Sequence, residues 1–65
     1  MQYGYSIRIL EDDAGVEVVT HTKTGRECTV RITKTGRWVD KDKGIRQAQV
    51  KYTTDLALKT FNGRF

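Results

Sequence analysis

The side chains of this chain that could carry catalytic or metal chemistry are few and poorly spaced for it. Cys28 and His21 fall on opposite faces of the predicted strands, so the thiol has no base beside it. Ser6, the sole serine, lacks the flanking glycines of a nucleophile elbow. One Cys and one His cannot by themselves supply the ligands of a zinc site. We therefore predict no enzyme, no catalytic residue, no metal and no cofactor.

An acidic spacing near the middle of the chain matches the start of a calcium-binding loop but not its remainder. Asp40, Asp42 and Gly44 alternate as the first positions of such a loop do. The loop also needs glycine at its sixth position and glutamate at its twelfth, where this chain has Ile45 and Lys51. The segment is better interpreted as a charged turn.

Basic residues are the remaining candidates for function, and they are unevenly placed. The 65 residues include 12 Lys or Arg and 8 Asp or Glu, a formal net charge of +4. Residues 1–20 carry a net charge of −3 and residues 21–65 a net charge of +7. Since Lys and Arg neutralise phosphates and aromatic rings stack on bases, the second part predicts a nucleic-acid-binding surface. Its predicted binding residues are Lys23, Arg26, Arg31, Arg37, Trp38, Lys41, Lys43 and Lys51.

Two classes of function fit this composition. The first is a small basic module that binds nucleic acid through a Lys/Arg/Thr-rich sheet face and a basic rim of turns. The alternative is an accessory protein of a phage or mobile element that binds and inhibits a host protein through a sheet edge and exposed aromatic side chains. In its size and lack of motifs the chain is similar to such accessory proteins.

Alternating hydrophobicity predicts the elements that must position these side chains. Val, Ile and Thr make up 19 of the 65 residues and Ala and Leu only 6, a balance that favours strands. The alternation predicts five strands, over residues 3–9, 16–22, 26–33, 37–40 and 45–54. Their polar faces include Arg31, Gln49, Lys51 and Thr53, and Cys28 shares the apolar face of its strand.

The last third of the chain also fits a helix in part. Ile45, Ala48, Tyr52 and Leu56 have helical spacing, but Ala57 lies on the opposite side of that helix. We therefore favour strand over residues 45–54, and residues 56–61 stay ambiguous.

A repeated pentapeptide marks two of the predicted turns. Thr-Lys-Thr-Gly-Arg occurs at residues 22–26 and again at residues 33–37. A glycine that closes a short polar segment suits a type I turn followed by a residue with positive φ. We predict a single all-β domain over residues 1–65, a small antiparallel meander of about five strands, barrel-like or a half-sandwich, with a short C-terminal helix as the alternative. Successive turns of a meander alternate ends, which gathers Lys23, Arg26, Lys41 and Lys43 into one basic rim.

About a third of the chain resembles a known family. Residues 10–19, Leu-Glu-Asp-Asp-Ala-Gly-Val-Glu-Val-Val, are followed by Asp-Lys-Gly at residues 42–44 and Ala-Gln at residues 48–49. These stretches are similar to the tryptophan-responsive RNA-binding attenuation proteins, although the region that connects them is longer here. The resemblance implies an antiparallel β-sandwich ring, a cyclic oligomer joined through sheet edges, and we carry no functional residue across.

The length of the chain favours assembly. A domain of this size buries only about 60% of the surface that its unfolded chain exposes, and one Cys forms no internal disulfide. Exposed strand edges also need a cover, so we predict a homo-oligomer or a sheet extended by a partner. The sequence has no apolar run near the length of a membrane span and no charged-then-apolar leader, which predicts a cytoplasmic protein with no membrane partner.

Overall fold

The computed structural model describes residues 3–11 and 14–64, which form a four-stranded antiparallel sheet and one helix. In chain order these are β1 (Gly4–Ile9), β2 (Gly15–His21), β3 (Glu27–Thr33), β4 (Gly36–Lys41) and α1 (Gln47–Arg64). The strands lie side by side in the order β1, β2, β3, β4, and α1 packs on one face of the sheet against β2 and β3. The predicted antiparallel meander is therefore confirmed.

The predicted fifth strand over residues 45–54 is wrong, because most of that segment belongs to α1. The helix also includes residues 56–61 and, at 18 residues, is longer than the short helix expected as the alternative. Barrel-like closure is not confirmed either, since β1 and β4 each pair on one side alone. The helix likewise departs from the all-β sandwich that the family resemblance implies.

The buried stripe of α1 explains why the sequence pattern points to a strand. Gln49, Thr53 and Ala57 are the buried residues of the helix, and two of these three are polar. Their spacing of four residues places them on one helix face, where they contact the sheet. Val50 and Leu56 pack against the core from the two sides of this stripe. A hydrophobicity pattern that assigns Gln49 and Thr53 to solvent therefore misses the helix.

The core between sheet and helix comes from alternate residues of the two central strands. Their side chains on the helix side are almost completely buried, and this group includes Cys28, as its strand pattern predicts. His21 lies on the other face and is exposed. The buried hydrophobic residues are Val16, Val18, Cys28, Val30, Ile32 and Ala57. Because this apolar core is small, hydrogen bonds across the same interface are an important part of what holds α1 against the sheet.

A buried polar network joins α1 to β2. The Thr53 hydroxyl donates to the Gln49 carbonyl oxygen over 2.7 Å, so its oxygen accepts the hydrogen of the Thr20 hydroxyl, 2.6 Å away. The Gln49 side-chain amide donates in turn to the Thr20 hydroxyl and to the Arg26 carbonyl oxygen, each over 3.3 Å. Every buried side-chain nitrogen or oxygen of the described residues has a partner. The helix is thus held in register by directional bonds as well as by apolar contact.

The first pentapeptide forms the turn that its sequence predicts. Gly25 donates its N–H to the Thr22 carbonyl over 3.0 Å and has a φ of 84°, while the Thr22 N–H donates to the Arg26 carbonyl over 3.1 Å. This is a β-turn over residues 22–25 that ends on a residue of positive φ, as the glycine position predicts. The second copy folds differently, since β4 already begins at Gly36, whose φ is 154°.

Candidate nucleic-acid interface

Two turns of the meander meet at the end of the sheet where α1 begins. The Asp42 N–H donates to the Glu27 carbonyl oxygen over 3.0 Å, and the Glu27 N–H donates to Asp42 Oδ2 over 2.9 Å. These bonds join the β2–β3 turn to the segment that leads from β4 into the helix. The predicted convergence of Lys23, Arg26 and Lys43 at one end of the sheet is therefore present.

A cleft of about 450 Å³ opens at this end of the molecule. Lys23 and Arg26 line it from the β2–β3 turn, and Arg46 lines it from the start of the helix. The Arg26 guanidinium lies over Gly44, so close that a Cβ added to this glycine would come within 3.2 Å of the guanidinium carbon. Three cationic side chains from two chain segments thus surround one opening.

The positive charge continues from this cleft along the helix side of β4. Lys41 pairs with Cys28 and Arg37 pairs with Ile32, and both partners have their side chains in the core, so Lys41 and Arg37 lie on the side of the sheet that carries the helix. A second cleft of about 460 Å³ between β4 and α1 is lined by Arg37 and by Lys51 of the helix. Asp55 is an acidic residue of the same lining.

The cationic residues of these two clefts, of β4 and of the turn between them are together called the basic band. Asp42 and Asp55 lie among its cations, so the positive charge of the surface is only partly offset. The band comprises Lys23, Arg26, Arg37, Lys41, Arg46 and Lys51, together with Lys43 through its place in the chain between Asp42 and Gly44. Six of its seven members are residues that the sequence predicted as binding residues.

The start of α1 adds to the positive potential of the band. The N–H groups of Gln49 and Val50 donate to the Arg46 carbonyl over 3.0 and 3.3 Å, so the helix begins directly after Arg46. The first turn of α1, which lies wholly within the described residues, holds no acidic side chain. Its leading N–H groups and the positive end of the helix dipole therefore face the cleft without a charged cap.

The two other predicted binding residues, Arg31 and Trp38, lie outside the two clefts of the band, although Arg37 also lines an opening of about 400 Å³ with both of them. They lie opposite each other on the sheet face that α1 leaves uncovered, and the Arg31 guanidinium carbon is 4.8 Å from the Trp38 ring centroid. Arg31 Nε also donates to Glu17 over 2.6 Å. Arg31 is thus held between a carboxylate and an aromatic ring, and Trp38, 49% exposed, has one ring face occupied.

Glu17 is the centre of this row on the uncovered face. Arg8 lies 3.1 Å from the same carboxylate oxygen, and the Glu17 side chain is only 12% exposed. Burial by itself raises the pKa of Glu17, but the hydrogen bond from Arg31 and the charges of Arg8 and Arg31 outweigh it, so the pKa lies below its usual value. The row from Arg8 to Trp38 is thus a largely self-satisfied network.

Arg46 is the band residue that sequence reasoning missed. The pattern places it in a predicted strand, among alternating residues of the apolar face. The sequence feature that indicates Arg46 is the Asp-Lys-Gly segment at residues 42–44. In the structure Gly44 of this segment has a φ of 81° and lies between β4 and α1. A helix that follows this turn begins next to the basic rim.

Comparisons of the chain with protein-family models, with curated proteins and with solved structures found no match. Among residues 3–11 and 14–64, no helix has both the length and the apolar character that a membrane span needs. The His, Cys, Asp and Glu side chains in these two ranges also form no group of three that could hold a metal ion.

Proposed function

We propose that the protein is a nucleic-acid-binding module that engages the phosphate backbone through the basic band. The observation that carries this proposal is that two clefts, one at the end of the sheet and one between β4 and α1, are both lined by Lys and Arg side chains, with Lys41 on the same face of β4. The phosphate backbone of a nucleic acid is a ligand that suits several separated Lys and Arg side chains, because each phosphate that they neutralise also releases a condensed counterion.

The band is suited to phosphates more than to bases. Trp38, the aromatic side chain predicted to stack on bases, lies on the opposite side of β4 from Arg37 and Lys41. Since backbone contacts carry no sequence information, binding through the band alone discriminates little between sequences. We therefore expect sequence-tolerant binding with a strong dependence on salt.

The test is a fluorescence anisotropy titration of labelled single-stranded RNA, single-stranded DNA and duplex DNA in low salt. The variant Lys43→Ala/Lys51→Ala removes two charges from the band. The matched control Lys34→Ala/Lys59→Ala removes two charges from residues that line neither cleft of the band, since Lys34 lies in the β3–β4 turn and Lys59 lies further along α1 than Lys51.

We expect the band variant to weaken binding by roughly ten-fold or more and the control to weaken it by much less, because short-range phosphate contacts are lost in the first alone. Equal losses in the two variants would show that net charge, and not the band, drives binding. Absence of binding to all three probes at low salt would exclude the proposal.

A second candidate function is binding to a host protein through the edge of β4. All six residues of this strand are exposed. The hydrogen bond from the Asp42 N–H to the Glu27 carbonyl fixes which residues of β4 bond to β3. Because every second residue of an antiparallel strand bonds to the partner, Arg37, Val39 and Lys41 direct their N–H and C=O groups away from β3. This edge fits an added strand with acidic side chains. Recovery of one specific protein, lost on Val39→Pro, would support this candidate.

A further inference from the structure

The edge strand β1 presents an apolar surface that its own chain leaves uncovered. It pairs with β2 on one side, and α1 packs mainly on the two central strands. As a result, Tyr5 is 54% exposed and Ile7 is 41% exposed, although both lie on the helix side of the sheet opposite the buried Thr20 and Val18. Isolated exposed apolar residues are ordinary, but here they lie in line on a free edge.

The backbone of β1 is prepared for a further strand along the same residues. The Leu10 N–H donates to the Gly15 carbonyl oxygen over 2.9 Å, which fixes the alternation of hydrogen bonds between β1 and β2. In an antiparallel ladder, every second residue directs its N–H and C=O groups to the other side. Tyr5, Ile7 and Ile9 therefore direct both groups away from β2.

Antiparallel pairing of β1 with a second β1 satisfies these groups symmetrically. When the pairing is centred on Ile7, each Ile7 faces its copy and each Tyr5 faces an Ile9, so all three outward residues exchange hydrogen bonds. Their side chains then form an apolar seam on the helix side. On the other side, Arg8 faces Ser6, and no two like charges are opposed.

The other free edge is unsuited to the same symmetric pairing. If β4 paired with a second β4 about Val39, each Arg37 would face a Lys41, since these flanking residues lie on the same side of the strand. Directly opposed like charges destabilise a strand pair, and basic side chains are a common means of protecting sheet edges. The charge pattern therefore favours self-association at β1 over β4.

We propose that the occupant of the β1 edge is a second copy of this chain, paired antiparallel about Ile7 in a twofold dimer with a continuous eight-stranded sheet. A twofold axis perpendicular to the sheet places both helices on the same side, with Tyr52 of each helix beside the seam. Tyr52 is 38% exposed and contacts Tyr3, which precedes β1. Arg37 and Lys41 of the basic band lie on β4, at the two outer edges of this sheet, whereas the cleft with Lys23, Arg26 and Arg46 also includes Tyr3 and so lies nearer the seam.

The test is the mass in solution, measured by sedimentation equilibrium from low micromolar to submillimolar protein without nucleic acid. Ile7→Lys places two like charges opposite each other at the dimer axis. Val39→Lys is the matched control, since Val39 is equally central in the other edge strand and equally exposed, at 42%.

We expect the wild-type chain to double its monomer mass, Ile7→Lys to weaken association by roughly ten-fold or more, and Val39→Lys to remain dimeric. A monomer throughout the range would overturn the proposal and leave the β1 edge to a strand of a different protein. Dissociation by Val39→Lys but not by Ile7→Lys would also overturn it.

A second measurement keeps the proposal testable if Ile7→Lys does not fold. In this measurement the variants Ile7→Cys and Val39→Cys replace the lysine variants, and each is treated with a short bismaleimide crosslinker. Cys28 is buried and is not expected to react. Covalent dimer from Ile7→Cys and little from Val39→Cys supports the β1 interface. The reverse pattern contradicts it.

Discussion

Thr53→Val is expected to destabilise the fold out of proportion to the small change it makes. The substitution keeps the shape of the side chain but removes a hydroxyl that donates to the Gln49 carbonyl oxygen and accepts from Thr20. Thr20 and Thr53 are fully buried. Loss of the hydroxyl therefore leaves the Thr20 O–H without its acceptor in the interior.

The expected magnitude follows from the two terms of this loss. A hydrogen bond contributes about 0.5–1.5 kcal/mol net, and a buried polar group left unsatisfied costs about 1–3 kcal/mol. Because valine recovers some apolar contact, we expect a net loss of about 1–2 kcal/mol in the free energy of unfolding. In a domain of this size each kcal/mol lowers Tm by about 4–8 °C.

Thr60→Val is the matched control for this measurement. The Thr60 hydroxyl donates to the Leu56 carbonyl oxygen over 2.8 Å, the same bond to the preceding turn that Thr53 makes, but Thr60 is partly exposed. Its loss is expected to change stability by less than about 0.5 kcal/mol. The difference between the two variants isolates the contact with Thr20.

The assay is urea unfolding followed by circular dichroism, with Thr20→Val and the double variant completing a thermodynamic cycle. We expect the double variant to lose less stability than the sum of the single losses, because no unpaired hydroxyl of the pair remains. Equal stability of Thr53→Val and Thr60→Val, or strict additivity in the cycle, would refute the reasoning.

Three further predictions concern the uncovered sheet face and the backbone. Folding lowers the pKa of Glu17, so the stability that the ionised Glu17 provides is complete above the unfolded pKa near 4.5 and is lost as the pH falls through the lower folded value. Glu17→Gln should therefore flatten the dependence of the free energy of unfolding on pH below about pH 5. Urea melts at several pH values check this. Gly15→Ala should cost about 2 kcal/mol or more, because the added Cβ collides with the Ile32 carbonyl oxygen, whereas Gly63→Ala meets nothing and should be neutral or slightly stabilising in thermal melts. Trp38→Ala should leave nucleic-acid affinity within about two-fold in the anisotropy titration, because Trp38 lies outside the basic band. A loss of affinity as large as that of Lys43→Ala/Lys51→Ala would show that the uncovered sheet face also binds nucleic acid.

The strands and their faces could be predicted from the sequence because period-two alternation is a local property. Cys28 and its alternate neighbours share one face in the sequence pattern and in the structure. The convergence of Lys23 and Lys43 could also be predicted, because turns of a meander alternate ends whatever the length of the strands.

The helix and its consequences could not be predicted in the same way. Gln49 and Thr53 are buried through hydrogen bonds to β2, and hydrophobicity does not encode such partners. The same error assigns Arg46 to a strand and keeps it out of the predicted site. The sequence predicts Trp38 and Arg31 as binding residues together with the band because it does not reveal which sheet face the helix covers. In the structure these two residues lie on the face without the helix.

The salt dependence of nucleic-acid affinity tests the central proposal most directly. On duplex DNA, the slope of log K against log salt is about −0.9 for each phosphate that a protein neutralises, and about −0.7 on single strands. If Lys43 and Lys51 contact phosphates, their joint replacement by alanine should reduce the steepness of this slope by about 1.4–1.8, and Lys34→Ala/Lys59→Ala should leave it nearly unchanged. Identical slopes for the wild-type chain and the band variant would contradict a phosphate-binding role of the basic band.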